Sequence, residues 1–180
     1  MHIHGLQKLA MVDYPGKLAA TVFTGGCNLR CPFCHNALLV TRLAETPEIP
    51  EQEVLDFLAP RRGLLDYVAM DVKNAPARYA ETVGIPGFNP APVEESIRLL
   101  RKSTVDYEFR TTLVRELHRP EDLDAIAAWL AGAPRYYLQN FVDSGNLIGR
   151  GYHGFTAEQL QGFAERVRPF FGAVELRGID

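Results

Sequence analysis

The chain has 180 residues, 47% of them hydrophobic and 23% charged, a balance that suits one globular domain, residues 1–180, with its own core. A net charge of −3 and a pI near 6 show no electrostatic footprint for nucleic acid or an anionic membrane, and Arg61-Arg62 is too short for a basic patch. No apolar run reaches the ~18 residues of a membrane span, and Met1-His2-Ile3-His4-Gly5 lacks the basic and apolar regions of a signal peptide; the expectation is a cytoplasmic protein with neither a nucleic-acid nor a membrane partner.

In chain order, Leu18 to Phe23 is a short apolar run ending in Thr24-Gly25-Gly26, which predicts a buried strand feeding a loop over residues 24–36. Pro50 opens a helix through Ala59 with Val54, Leu55 and Leu58 on one face. The stretch 60–66 joins it to a strand over Tyr67 to Val72. A helix over Pro92 to Ser103 carries Val93, Ile97 and Leu100 at i, i+4 and i+7, and a strand over Tyr107 to Val114 follows. Pro120 starts a helix with Leu123, Ile126, Ala127 and Leu130 inward, and Arg135 to Val142 is the next strand. Asp143 to Gly154, with four glycines, is the most loop-like stretch, either a lid or an ordinary surface loop. Thr156 and Gln159 make a capping box ahead of the stripe Leu160, Phe163 and Val167, and Ala173 to Leu176 is a last strand. Strands alternating with helices imply βα units and a mostly parallel sheet, whose ligands sit at the C-terminal strand ends.

All three cysteines lie within eight residues, in Cys27-Asn28-Leu29-Arg30-Cys31-Pro32-Phe33-Cys34-His35-Asn36. An odd number packed so tightly argues against a disulfide framework and for a metal or redox role in a reducing compartment. Three thiolates spaced C-x3-C-x2-C on one loop can bind three corners of a [4Fe–4S] cubane and leave the fourth iron without a protein ligand. That vacancy suits the amino and carboxylate groups of S-adenosylmethionine (SAM), whose reductive cleavage belongs to the cofactor. Zinc on the same cysteines plus His35 or a distant histidine is the competing assignment, but zinc sites usually pair knuckles from two places. His2, His4, His118 and His153 carry no motif and are assigned to the surface or to packing.

The segment Cys27 to Asn36, with Pro32-Phe33-Cys34-His35-Asn36 intact, resembles the radical SAM glycyl-radical-activating enzymes. Gly5-Leu6-Gln7-Lys8-Leu9 and Asp13-Tyr14-Pro15-Gly16-Lys17 are similar to the branch that activates anaerobic ribonucleoside-triphosphate reductase. The resemblance extends through Tyr67-Val68-Ala69-Met70-Asp71-Val72-Lys73, Tyr107-Glu108-Phe109-Arg110-Thr111-Thr112 and Val174-Glu175-Leu176-Arg177-Gly178. It implies a partial, open (β/α) barrel with the cluster at its C-terminal mouth, and an oxidoreductase that makes a glycyl radical on the reductase large subunit. It also implies an electron donor such as flavodoxin or ferredoxin. By resemblance, Phe33, Cys34 and His35 lie against the adenine of SAM, and the strand end Asp71-Val72-Lys73 contacts SAM or a bound cation. Alternation puts Glu108, Arg110 and Thr112 on one face of their strand and Phe109, Thr111 and Leu113 on the other; Arg110 is then placed to pair with the SAM carboxylate. The lesser alternative for Asp71, Lys73 and Arg110 is a structural ion-pair network.

The match breaks in two places. The family's Gly-Gly-Glu-Pro segment, which holds the SAM amino group, is not found, and residues 60–66 stand where the family has two further βα units. A βαβ unit needs ~30 or more residues, so the chain reads as an internally shortened member. Cluster binding is expected to survive, with SAM turnover weakened or lost. The alternatives are a non-catalytic cluster- or partner-binding remnant and a radical SAM enzyme acting on a small molecule or nucleobase.

Overall fold

A computed structural model describes residues 2–10, 19–58, 67–143, 145 and 147–179; Leu18, Ala59, the segment Asp13-Tyr14-Pro15-Gly16-Lys17 and the junction 60–66 lie outside them. The chain falls into two compact units, Met1–Arg30 with His35–Leu64, and Cys31–Cys34 with Leu65–Asp180.

In the first unit, β1 (Ile3–Ala10) and β2 (Ala19–Thr24) form an antiparallel pair in which Leu6 faces Val22 and Gln7 faces Thr21. This corrects the expectation of a buried strand at Leu18 to Phe23. Along β2, half-buried and exposed residues alternate, and Val22 lies on the exposed side. The run is apolar on both faces, but a two-stranded antiparallel ribbon covers one of them. Two helices follow, α1 (Ala37–Thr41) and α2 (Glu51–Leu58), and Ile49 N–H donates to Ile3 O at 2.7 Å. The inward stripe of α2 is narrower than predicted, since Val54 is buried while Leu55 is exposed.

The second unit is α/β. Its strands are β3 (Tyr67–Asp71), β4 (Asp106–Leu113), β5 (Arg135–Asn140) and β6 (Ala173–Arg177), all parallel and adjacent in chain order. Between them run α3 (Tyr79–Thr82), α4 (Ala91–Lys102), α5 (Pro120–Leu130) and α6 (Ala157–Val167). Sequential parallel neighbours joined by crossovers of one hand, the general rule for parallel sheets, place their helices on one face of the sheet. This open parallel sheet with flanking helices is consistent with a partial barrel of the radical SAM type.

The helix face carries the core. Phe109, Thr111 and Leu113 of β4, Tyr136 and Leu138 of β5, Leu123, Ile126, Ala127 and Leu130 of α5, and Leu160 and Val167 of α6 are all fully buried. Phe163 is half-buried, edge-on to Phe155. The Thr156 capping box forms as the spacing requires: Gln159 N–H donates to Thr156 Oγ1 at 3.2 Å and Thr156 N–H donates to Gln159 Oε1 at 3.1 Å. On α4 only Ile97 is fully buried, with Val93 and Leu100 half-buried. Strands β3 and β5 stop short of the predicted Val72 and Val142, and Val142 is exposed.

Candidate functional site

The second unit brings the cysteine turn to the C-terminal edge of its sheet. Cys34 N–H donates to Cys31 O at 3.1 Å and closes the turn. Cys31 and Phe33 are buried, and the Phe33 ring meets Phe141, one residue past β5, edge-on with centroids 6.5 Å apart. Cys34 is half-buried. Gly149 N–H donates to Pro32 O at 2.6 Å. Pro32 contributes no donor of its own, so its carbonyl is the backbone group it offers to hydrogen bonding.

In the first unit, Cys27 is exposed; Leu29 N–H lies 3.4 Å from its Sγ, and Arg30 Nη1 donates to its carbonyl at 2.7 Å. Gly26, at φ +82°, turns the chain into this segment, a conformation that L side chains rarely adopt. His35 is exposed. None of the three cysteines is joined in a disulfide. Among the described residues, no three His, Cys, Asp or Glu side chains are gathered into a group that could hold a metal ion. The donor set itself, three cysteines outside any disulfide on one loop, suits an iron–sulfur cluster, which thiolates hold.

Behind the turn lies the charged edge of β3 and β4. Lys73 Nζ donates to Asp71 Oδ2 at 2.8 Å, and Arg110 Nε donates to Asp71 Oδ1 at 2.9 Å. The structure thus draws together the trio singled out in the sequence, and it does so through ion pairs. Burial pushes the Asp71 carboxyl up, but Lys73 and Arg110 outweigh it and hold it below the ordinary range. Burial pushes Lys73 down, and Asp71, with a smaller contribution from Cys31, more than offsets that. Cys31 therefore lies within electrostatic reach of the Lys73 ammonium. Val72 is fully buried; its N–H donates to Arg110 O and its carbonyl accepts from Thr111 Oγ1, both at 2.8 Å. It fixes the strand end on which Asp71 and Lys73 stand.

Two features escaped sequence reasoning. Glu108 is buried on the face of β4 opposite Phe109, accepting from Tyr67 Oη at 2.6 Å and from Arg177 Nη1 at 3.2 Å, while the Arg177 guanidinium stacks over Tyr137 at 3.7 Å. Burial first, then Glu108, raises the Tyr67 pKa, so the phenol keeps the proton it donates. The charged alternation in β4 was visible, but the partner 69 residues away was not. The second feature is His118, assigned above to surface or packing. It is buried. Val114 N–H donates to its Nδ1 at 3.1 Å, which leaves the proton on Nε2 to bond Lys73 O at 2.9 Å. It is a packing residue that also fixes the backbone of Lys73.

Burial lowers the His118 pKa from its ordinary 6.5, so the folded chain binds fewer protons here than the unfolded one. Its contribution to stability is complete above about pH 6.5 and is lost as the pH falls toward the depressed value, with a slope of at most ~1.4 kcal/mol per pH unit. Urea midpoints taken from pH 7.5 to 5.5 are expected to fall, and His118→Gln to flatten that slope. Equal slopes in both chains would show that His118 is not the group responsible.

Comparison with known proteins adds a likeness along most of the chain. Over 191 aligned positions it is 26% identical to a Methanocaldococcus jannaschii protein named as a glycyl-radical enzyme activating enzyme, covering 77% of this chain and 79% of that one. It is 34% identical over 65 residues to the pyruvate formate-lyase-activating enzyme of Staphylococcus aureus, covering 36% of this chain and 26% of the enzyme. No protein-family model and no solved structure matches. The longer alignment exceeds the length of this chain: 77% of 180 residues is about 139, against 191 aligned positions. Some fifty positions of the archaeal protein therefore have no counterpart here.

Proposed function

We propose that this chain is a radical SAM activating enzyme, and that Cys27, Cys31 and Cys34 hold a [4Fe–4S] cluster. The observation that carries this reading is the C-x3-C-x2-C set of cysteines outside any disulfide, two of which sit in a turn at the C-terminal edge of a parallel sheet beside Asp71, Lys73 and Arg110. The likeness to two activating enzymes supports it. When bound, the cluster supplies the electron that cleaves a carbon–sulfur bond of SAM and yields a 5′-deoxyadenosyl radical able to take a hydrogen atom from a glycine.

The chain's own residues bind and orient. The cysteine thiolates are the ligands. Asp71 accepts from Lys73 and from Arg110 Nε, which leaves the outer guanidinium N–H groups of Arg110 to meet the SAM carboxylate in a charge-assisted pair. Phe33 and Phe141 exclude water beside Cys34, and Phe33 with His35 borders the adenine. No side chain acts as general acid or base. The protein acted on is a glycyl-radical enzyme, by resemblance the large subunit of anaerobic ribonucleoside-triphosphate reductase. Electrons come from a flavodoxin or ferredoxin, and the setting is the cytoplasm; none of the described helices is long and apolar enough to cross a membrane.

One observation favours a second reading. The fifty positions missing relative to the archaeal protein, with the absent Gly-Gly-Glu-Pro segment, fit a remnant that binds the cluster or the partner without turnover. Anaerobic reconstitution with iron and sulfide, reduction with dithionite and addition of SAM separate the two. Formation of 5′-deoxyadenosine with a SAM-dependent change in the reduced cluster's paramagnetic spectrum supports the enzyme. A cluster spectrum indifferent to SAM, without product, makes the chain a remnant. A glycyl radical on added reductase identifies the substrate.

A further inference from the structure

We infer that the segment Leu147–Gly154 clamps the turn Cys31–Cys34 onto the second unit, and that Gly149 is the positioning residue of the clamp. The importance of the clamp rests on the proposed cluster, but the clamp itself is a property of the chain without iron.

The contact is a backbone one, from Gly149 N–H to Pro32 O at 2.6 Å. A Cβ at Gly149 would stand 2.8 Å from Pro32 Cβ, 2.8 Å from Tyr152 Cε2 and 3.1 Å from Pro32 O. Gly149 is not among the glycines with positive φ, so a left-handed backbone is not the reason for glycine here. The residue is glycine because the two backbones approach closely, and any side chain must push Pro32 or Tyr152 away.

The far end of the segment is fastened to the sheet. Arg115 N–H donates to His153 O at 2.9 Å, His153 N–H donates to Glu116 Oε2 at 2.9 Å, and Phe155 and Asn140 exchange two bonds at 2.9 and 3.0 Å. The segment also lines an open cavity of about 450 Å3 through Leu147, Gly149, Arg150 and Gly151. The strap is thus tied at one end to the turn that follows β4 and to the last residue of β5, and at the other to the cysteine turn. Phe33 against Phe141 adds an apolar anchor two residues from the buried Cys31. Cys31 and Cys34 are in this way held at a fixed place before any iron arrives, while the exposed Cys27 is not part of the clamped turn.

The test uses thiol reactivity of the iron-free chain, read by alkylation with N-ethylmaleimide and peptide mass mapping. Cys27 is expected to react fastest and Cys31 slowest. Gly149→Ala should raise the Cys31 rate roughly tenfold by opening the turn and leave Cys27 unchanged. Gly162→Ala, where a Cβ meets nothing within 4 Å, should change neither. Hydrogen exchange at the Gly149 amide of the unaltered chain, expected to be protected, covers the case in which Gly149→Ala does not fold. An unchanged Cys31 rate in folded Gly149→Ala, or an unprotected Gly149 amide, overturns the clamp. Protection and opening as expected in a chain that takes up no iron would leave the clamp standing and remove the cluster reading alone.

Discussion

Cys31→Ser is expected to reduce the iron taken up on reconstitution from about four atoms per chain to fewer than about one, and to abolish 5′-deoxyadenosine formation with it. Serine copies the size of the thiol but offers a hard oxygen of high pKa where the cluster needs a soft thiolate. The nearby carboxylate cannot substitute, because Asp71 is already committed to both Lys73 and Arg110. Cys31 is buried, so its hydroxyl variant also carries a modest desolvation cost, on the order of 1–3 kcal/mol if it finds no partner. Cys27→Ser separates the two effects, since Cys27 is exposed: it should lose iron to the same extent and leave the melting temperature unchanged. Circular dichroism beside iron analysis checks both. Four irons retained in Cys27→Ser would show that the donor set is wrong, and one tightly held zinc per unaltered chain in place of iron would revive the zinc assignment.

Much of the second unit was legible because its signals are local. The capping box Thr156–Gln159, the 3.6-residue stripe of α5 and the two-residue alternation of β4 are each set within a dozen residues, and each appears where the spacing places it. What sequence reasoning could not reach depends on distant partners. Residues Ile3–Ala10 served only as a motif, although they form β1, and the apolar run at β2 looked buried until β1 was known to be its antiparallel partner. His118 has no motif around it because its job is to bond a carbonyl 45 residues earlier. Glu108 stood out as a charge in a strand, but its burial is tolerable only through Tyr67 and Arg177, from the first and last strands of the sheet. For the site, the cysteines stand out by their spacing alone, and their assignment as cluster ligands remains the proposal. The association of Asp71, Lys73 and Arg110 followed from parallel register, which sets Asp71 opposite Arg110.

Adjacent residues of β4 allow fold and site to be tested apart. Phe109→Ala is expected to destabilise the chain by about 3–5 kcal/mol, a large share of the 5–15 kcal/mol typical of a domain. Phe109 is fully buried on the helix face, its ring lies edge-on to Tyr107 with centroids 5.3 Å apart, and its strand neighbours in register are Met70 and Tyr136. Truncation leaves a void that residues fixed on three strands cannot close. Arg110→Ala acts on the opposite face. Its side chain retains 29% exposure and its partner Asp71 41%, so losing the pair should cost no more than about 1 kcal/mol. Asp71 keeps Lys73 as a partner. If Arg110 meets the SAM carboxylate, the same change weakens SAM binding by roughly ten- to a hundredfold, the worth of one charge-assisted contact. Denaturant midpoints and equilibrium SAM binding, measured on both variants, should therefore move in opposite proportions: Phe109→Ala in stability, Arg110→Ala in affinity. An Arg110→Ala chain that binds SAM as tightly as the parent would return Asp71, Lys73 and Arg110 to a purely structural role at the strand ends, and the carboxylate would have to be met by other groups.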